Sequence, residues 1–224
     1  MRKNLISMEV TENDLKAIFD SFMELENELK IETKKIFENE SNKGQLFKSS
    51  HFIFSVVNRA VALNRGFLQL TNLNNYLAAI SLIRLQVDNC LRLYAMSLVD
   101  NPSSFYDSVL EGIEIGNLCD RDGKKMTDNH LATKIDTIFP EFKKLYKNTC
   151  GFIHFSHEHL YFNNKVKDLT DDSFILSTSI GDIDKLEIYE KVDYSFNMLM
   201  AGKSLYKLIK EYRITMQKYL TEND

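Results

Sequence analysis

The sequence predicts an all-α protein, a bundle of long helices interrupted by a short-helix insertion and a small β-hairpin. Three observations carry this. Only two prolines and eight glycines punctuate 224 residues, too few breakers for a many-turned β architecture. Apolar residues recur three and four positions apart over long stretches, the period of an amphipathic helix. Polar or proline-containing breaks separate those stretches, and no internal repeat or linker divides them. The expectation is therefore one domain over residues 1–224, with an N-terminal helix of about 11–39 packed on the bundle.

The first helix starts at Thr11, where Asp14 sits at capping-box spacing. Leu15, Ile18, Phe19, Phe22, Met23 and Leu25 then follow at helical spacing, and the polar run from Glu40 to Gly44 ends it. A second helix covers Ser49 to Leu70. A third starts near Asn74 and stops before Pro102, which disfavours helix at Asn101. Ser103–Ile115 forms a shorter fourth helix. A polar loop, Asn117–Thr127, leads to a helix capped by Thr127 or Asp128 and running to Phe139. Pro140 opens the next helix, with Glu141 in its first turn. Leu160–Phe162 and Phe174–Thr178 pair as a hairpin with Lys165–Asp172 between them, and a last long helix spans Ile183–Leu220.

Composition excludes several function classes. Apolar residues make up 44%, enough for a substantial core, and the net charge of −4 is not that of a general nucleic-acid binder. No apolar run reaches the roughly 18–20 residues of a bilayer span. The N-terminal stretch turns acidic at Glu9, Glu12 and Asp14, unlike a signal peptide, so a cytoplasmic protein without membrane attachment is expected. Cys90, Cys119 and Cys150 are widely spaced and form no CxxC pair, which predicts reduced thiols. P-loop, Rossmann and nucleophile-elbow patterns are absent, and no cofactor is expected.

Two stretches carry chemistry. In the third helix Arg84, Asp88 and Arg92 interrupt an otherwise apolar circumference at four-residue intervals, which places them on one face. Such charges must pair or line a wet cleft. They form either a structural ion-pair seam or one wall of a site in which Arg84 and Arg92 hold phosphate and Asp88 orients one of them. The second stretch, Tyr146–His159, holds three of the five histidines, and Lys143, Lys144 and Lys147 lie within or just before it. His154, His157 and His159 offer an alternative metal set. Their spacing does not converge on a helix, because positions two apart point away from each other.

Arg84, Asp88 and Arg92 on an aliphatic helix, then Gly123–Asp128, then Gly151-Phe152-Ile153-His154-Phe155-Ser156 together resemble the HEPN superfamily. These are helical-bundle proteins common in prokaryotic toxin, defence and RNA-processing systems. The resemblance covers roughly residues 50–215. It implies that Lys147 stands at the family's arginine position, Asn148 at its polar position and His154 at its histidine. Lysine holds a phosphate as a point charge but lacks the planar fork of arginine. Histidine moves protons near neutral pH, and a nearby cation stabilises phosphorane charge without a metal.

The resemblance implies a protein that binds RNA or another nucleotide-containing ligand, with metal-independent endoribonuclease chemistry at Lys147, Asn148 and His154. Arg84, Asp88, Arg92 and His157 would contact the substrate. A two-fold homodimer is expected, because HEPN-like folds pair their motif copies. The competing reading is a non-catalytic module that binds a protein partner in a defence or toxin–antitoxin complex. The charged face of the third helix is expected to meet His154 across one cleft.

Overall fold

A computed structural model describes residues 10–43, 46–163, 165–170, 173–177 and 186–222. The protein is an all-α bundle: α1 Glu12–Asn42, α2 Lys48–Asn72, α3 Tyr76–Ser97, α4 Pro102–Leu110, α5 Asp128–Ile135, α6 Phe142–Cys150, α7 His157–Asn163 and α8 Ile188–Glu222. A hairpin of β1 Lys165–Thr170 and β2 Ser173–Ser177 follows α7. It is antiparallel, with a register shift between Val166 and Asp168. Among the described residues no helix is long and apolar enough to cross a membrane.

Four helices make the core. Glu26 meets Arg65 and Glu40 meets Ser50, so α1 and α2 are antiparallel. Arg59 meets Asp88 and Gly66 lies against Leu82, so α2 and α3 are antiparallel too. In contrast, Lys191 lies over Tyr76 and Cys90 meets Ala201, so α3 and α8 run the same way. Leu25 faces Gly202 and Glu32 meets Arg213, so α1 is also parallel to α8. Two successive core helices that point the same way need a long return path. The short helices α4–α7 and the hairpin provide it, and this is why the insertion exists.

α1 shows how sequence makes the seam. Phe22, Leu25, Leu29, Glu32 and Ile36 alternate three and four apart, and all are buried. Met23, placed on the apolar face by the sequence, is 75% exposed. Glu32 is the polar member of the seam, and Arg213 and Lys35 bind it. α3 is central as expected, touching α2, α4, α5, α6 and α8. Cys90 is fully buried in it, with its thiol donating to the Ala201 carbonyl at 3.2 Å. Burial pushes that thiol's pKa well above the ordinary range.

Several boundaries differ from the expectation, each for a physical reason. α1 continues to Asn42 because Glu40 is buried and accepts from the Ser50 hydroxyl and the Phe47 amide. Burial holds the Glu40 carboxyl above its ordinary pKa. α4 stops at Leu110 rather than Ile115. Gly112 takes φ +86°, and Ile113 and Gly112 donate back to Ser108 and Val109 in a Schellman cap. α5 ends at Ile135 because Asp136 turns to accept the Lys143 amide at 2.8 Å and caps α6. Pro140 and Glu141 precede α6, and Glu141 is left-handed at φ +71°.

The hairpin exists, but its first strand is not Leu160–Phe162. Those residues belong to α7. Ser156 starts that helix: its hydroxyl accepts the Glu158 amide at 3.2 Å while the His159 ring accepts the Ser156 amide at 3.3 Å. The strand falls instead on Lys165–Thr170, expected to be the connection, where Val166 and Leu169 stand three apart across the register shift and give no period-two signal. Thr178 of the second strand and residues 183–185 of the last helix lie outside the described residues.

Gly202 sets the closest approach of α1 to α8. A β-carbon there would stand 2.5 Å from Leu25 Cδ2, and Leu25 has no exposed surface into which to retreat. Gly202→Val is expected to lower unfolding free energy by about 1–3 kcal/mol through overpacking. Leu25→Ala alone should cost about 2–5 kcal/mol. In urea titrations the double variant should lose clearly less than the sum of the two, and strict additivity would remove this contact as the spacing constraint.

Candidate functional site

The charged face of α3 is part of a larger network. Arg92 reaches Asp88 at 2.8 Å and Asp128 at 2.7 Å. Arg84 reaches Asp128 at 2.8 Å and lies more loosely, at 3.9 Å, from Asp88. From α2, Arg59 joins at 3.0 Å from Asp88 and 2.7 Å from the Asn89 side-chain oxygen. Three guanidiniums thus share two carboxylates. Asn89 in turn donates to Gln86 at 3.0 Å, carrying the polar chain into the core.

Exposure grades this network. Arg84 is its most buried cation, with 12% of its side chain accessible, and Arg59 is the most open at 43%. The Arg84 guanidinium also lies 4.7 Å from the centre of the Tyr146 ring, a cation–π contact. Burial works against its charge, but the Cys150 sulfur, Asp128 and Asp88 outweigh it and raise its pKa above the ordinary value. Arg84 is therefore a structural cation between α3, α5 and α6. Arg59 and Arg92 face a cleft of 530 Å³ between α2, α3, α4 and the start of α5. Glu114 and Asp128 line the same cleft, and Phe52, Val56, Val109 and Ile115 give it an apolar side.

Asp128 is held in place by a loop built around Asp120. Its side chain has no accessible surface and accepts the amides of Asp122 at 3.1 Å and Lys124 at 2.9 Å. His130 and Lys134 of α5 reach the same carboxylate at 2.9 and 3.0 Å. The loop returns along itself through the Met126 amide to the Leu118 carbonyl, and Arg121 satisfies the last carbonyls of α3 at Ser97 and Leu98. Of the two caps the sequence offers, Thr127 is the one used: it accepts from the His130 amide at the start of α5.

Lys147, Asn148 and His154 occupy a different place, the corner between α6 and α7. All three are exposed, and none lines the cleft. Lys147 and Asn148 lie in the last turn and a half of α6, and His154 lies in the irregular segment after it. The corner is anchored from beneath. Ser81 of α3 donates to the Phe152 carbonyl at 2.7 Å, and the Phe152 ring is buried beside Tyr194 and His159. Phe155, by contrast, is 81% exposed, with its ring stacked on His159 at 5.5 Å. His157 is exposed and meets Glu158 at 3.2 Å. His154, His157 and His159 do not gather: among the described residues no group of three or more metal-ligating side chains is found.

The single cleft expected from the sequence is therefore two places joined through Arg84, which stacks on Tyr146 next to Lys147. Arg59, Asn89 and Glu114 went unnoticed in the sequence. Arg59 carried one usable signal, a cation set among Val56, Val57 and Ala60. No family model matches this chain, and comparison with curated proteins and with solved structures finds no similar protein.

The Asp120 anchor gives a pH dependence. His130, the Lys124 amide and Lys134 hold its carboxyl below the ordinary value of 3.8. A depressed folded-state pKa stabilises fully above the unfolded value and is lost as pH falls through the folded one. The wild type should thus lose melting temperature on acidification below about pH 4. Asp120→Asn should be less stable at neutral pH and show a shallower acid limb. Parallel limbs for the two proteins would remove Asp120 as the titrating anchor.

Proposed function

We propose that this protein is a HEPN-like RNA-binding module and that the α6–α7 corner is its RNA-facing surface. The observation supporting this most directly is the exposure of Lys147, Asn148, His154 and Phe155 on one short segment. A long cation, an amide, an imidazole and an open aromatic ring are the groups that engage single-stranded RNA. The cation meets phosphate, the amide meets base edges, and the ring stacks on a base. Lys143, Lys144 and Lys147 stand against Glu141 and Glu158 over residues 141–159, a local positive balance in a chain of net charge −4.

The same residues have the roles that metal-independent cleavage needs. Attack by a ribose 2′-hydroxyl requires proton transfer and stabilisation of charge on phosphorus. His154 is open to solvent and to a bound strand, and it serves as the proton-transfer group. Lys147 supplies the compensating charge. Arg84 acts behind this surface: stacked on Tyr146 and paired with Asp128, it fixes α6 on α3, and it does not contact RNA.

Binding of a fluorescent single-stranded RNA should weaken as salt rises, since phosphate contacts release counterions. Lys147→Ala should weaken it further, and Phe155→Ala should cost about tenfold by loss of stacking. In EDTA the wild type is expected to cleave, with the rate falling by about 10²–10⁴ in His154→Ala. Binding without cleavage by the wild type would leave the non-catalytic reading in place. RNA binding indifferent to Lys147→Ala and Phe155→Ala would sink the assignment of this surface.

A further inference from the structure

The cleft between α2, α3 and α4 is a second site, and its chemistry differs from that of the α6–α7 corner. Its cationic side is built from Arg59 and Arg92. Both are fixed by Asp88, and Arg92 also by Asp128, yet three guanidiniums over two carboxylates leave one positive charge in excess. Arg59 is the most exposed member, so the excess is presented at the cleft rather than in the core. Position and orientation are set before any ligand arrives, which lowers the cost of binding an anion.

The same cleft carries Glu114, just after α4. Among the described residues no ion pair joins Glu114 to Arg59 or Arg92, and its side chain accepts only a long bond of 3.5 Å from Asn117. One cleft therefore keeps opposite charges apart, with Phe52, Val56, Val109 and Ile115 lining it as well. Charges of both signs that do not pair with each other, in a cleft with an apolar side, suit a ligand that is itself divided: anionic at one end, rich in N–H donors at another, and flat and apolar between.

We propose that this cleft binds a guanine nucleotide. Its phosphate meets Arg59 and Arg92, its base lies on Phe52 and Val56, and its N1–H and N2 amino group donate to the Glu114 carboxylate. An ionised carboxylate only accepts hydrogen bonds. Guanine offers it two adjacent donors, whereas adenine sets a ring acceptor beside its single amino group and is repelled. At 530 Å³ the cleft falls within the range of about 300–1,000 Å³ typical of pockets for single small molecules. Inorganic phosphate alone would leave most of it empty.

The test uses the full chain with GMP, AMP and inorganic phosphate as separate probes, read by calorimetry and thermal shift. GMP should raise the melting temperature and bind about tenfold or more tightly than AMP or phosphate, the worth of one charge-assisted hydrogen bond or more. Arg59→Ala should weaken GMP about tenfold or more. Glu114→Gln, a change at an exposed side chain that spares the Arg network, should weaken GMP and strengthen AMP, whose ring acceptor no longer faces a carboxylate, and so abolish the preference. Absence of saturable GMP binding at millimolar concentration, equal affinity for AMP and GMP, or a Glu114→Gln variant that keeps the preference would each overturn the proposal. RNA binding at the α6–α7 corner, tested through Lys147 and Phe155, stands or falls separately because the two sets of residues do not overlap.

Discussion

Two carboxylates, Asp88 and Asp128, organise the charged centre of this molecule. Each accepts from more than one guanidinium, and the three arginines come from α2 and α3. Removing one carboxylate would strand partly buried cations, and leaving such a charge unpaired costs far more than the pair itself contributes. The pair Arg65–Glu26 is a useful contrast. The half-buried Glu26 carboxyl is held near a pKa of about 2 by Arg65, but that pair joins only α1 and α2. The Asp88–Asp128 network matters because it binds four helices together: α2 through Arg59, α3 through its own charges, α5 through Asp128, and α6 through the stacking of Arg84 on Tyr146.

Topology explains why the insertion carries the sites. With α1, α3 and α8 pointing one way, the chain leaving α3 must travel back before α8 begins. That return path has no long amphipathic seam of its own. It buries Phe105, Met126, Leu131, Ile135 and Phe142 in the core and is further fastened by polar devices: the Asp120 turn, the Arg121 contacts with the end of α3, the Asp136 cap on α6 and the Ser81 bond to Phe152. Segments fastened this way expose more side chains than the core helices do, and they bring residues from distant positions to common surfaces. Both the α6–α7 corner and the cleft wall at Glu114 belong to this path.

The two proposed sites are linked through one cation. Asp128 lines the cleft, and Arg84, bound to it at 2.8 Å, stacks on the ring that precedes Lys147.

The sequence alone determined the all-α class, most of the residues that the long helices bury, the central position of α3, a cap at Thr127 or Asp128, and the need of Arg84, Asp88 and Arg92 for partners. These follow from local rules: periodicity, breakers, cap chemistry and the cost of burying charge. Only the tertiary structure decided who the partners are. Arg59 lies 29 positions from Asp88, and Arg84 lies 44 from Asp128, and no periodic signal links residues so far apart. It also extended α1 past Glu40, moved the hairpin's first strand from Leu160–Phe162 to Lys165–Thr170, and separated His154 from the cleft. Period reveals which side of a helix seeks cover. Which neighbour covers it, and what cleft is left between them, depends on chain direction and on contacts made across the bundle.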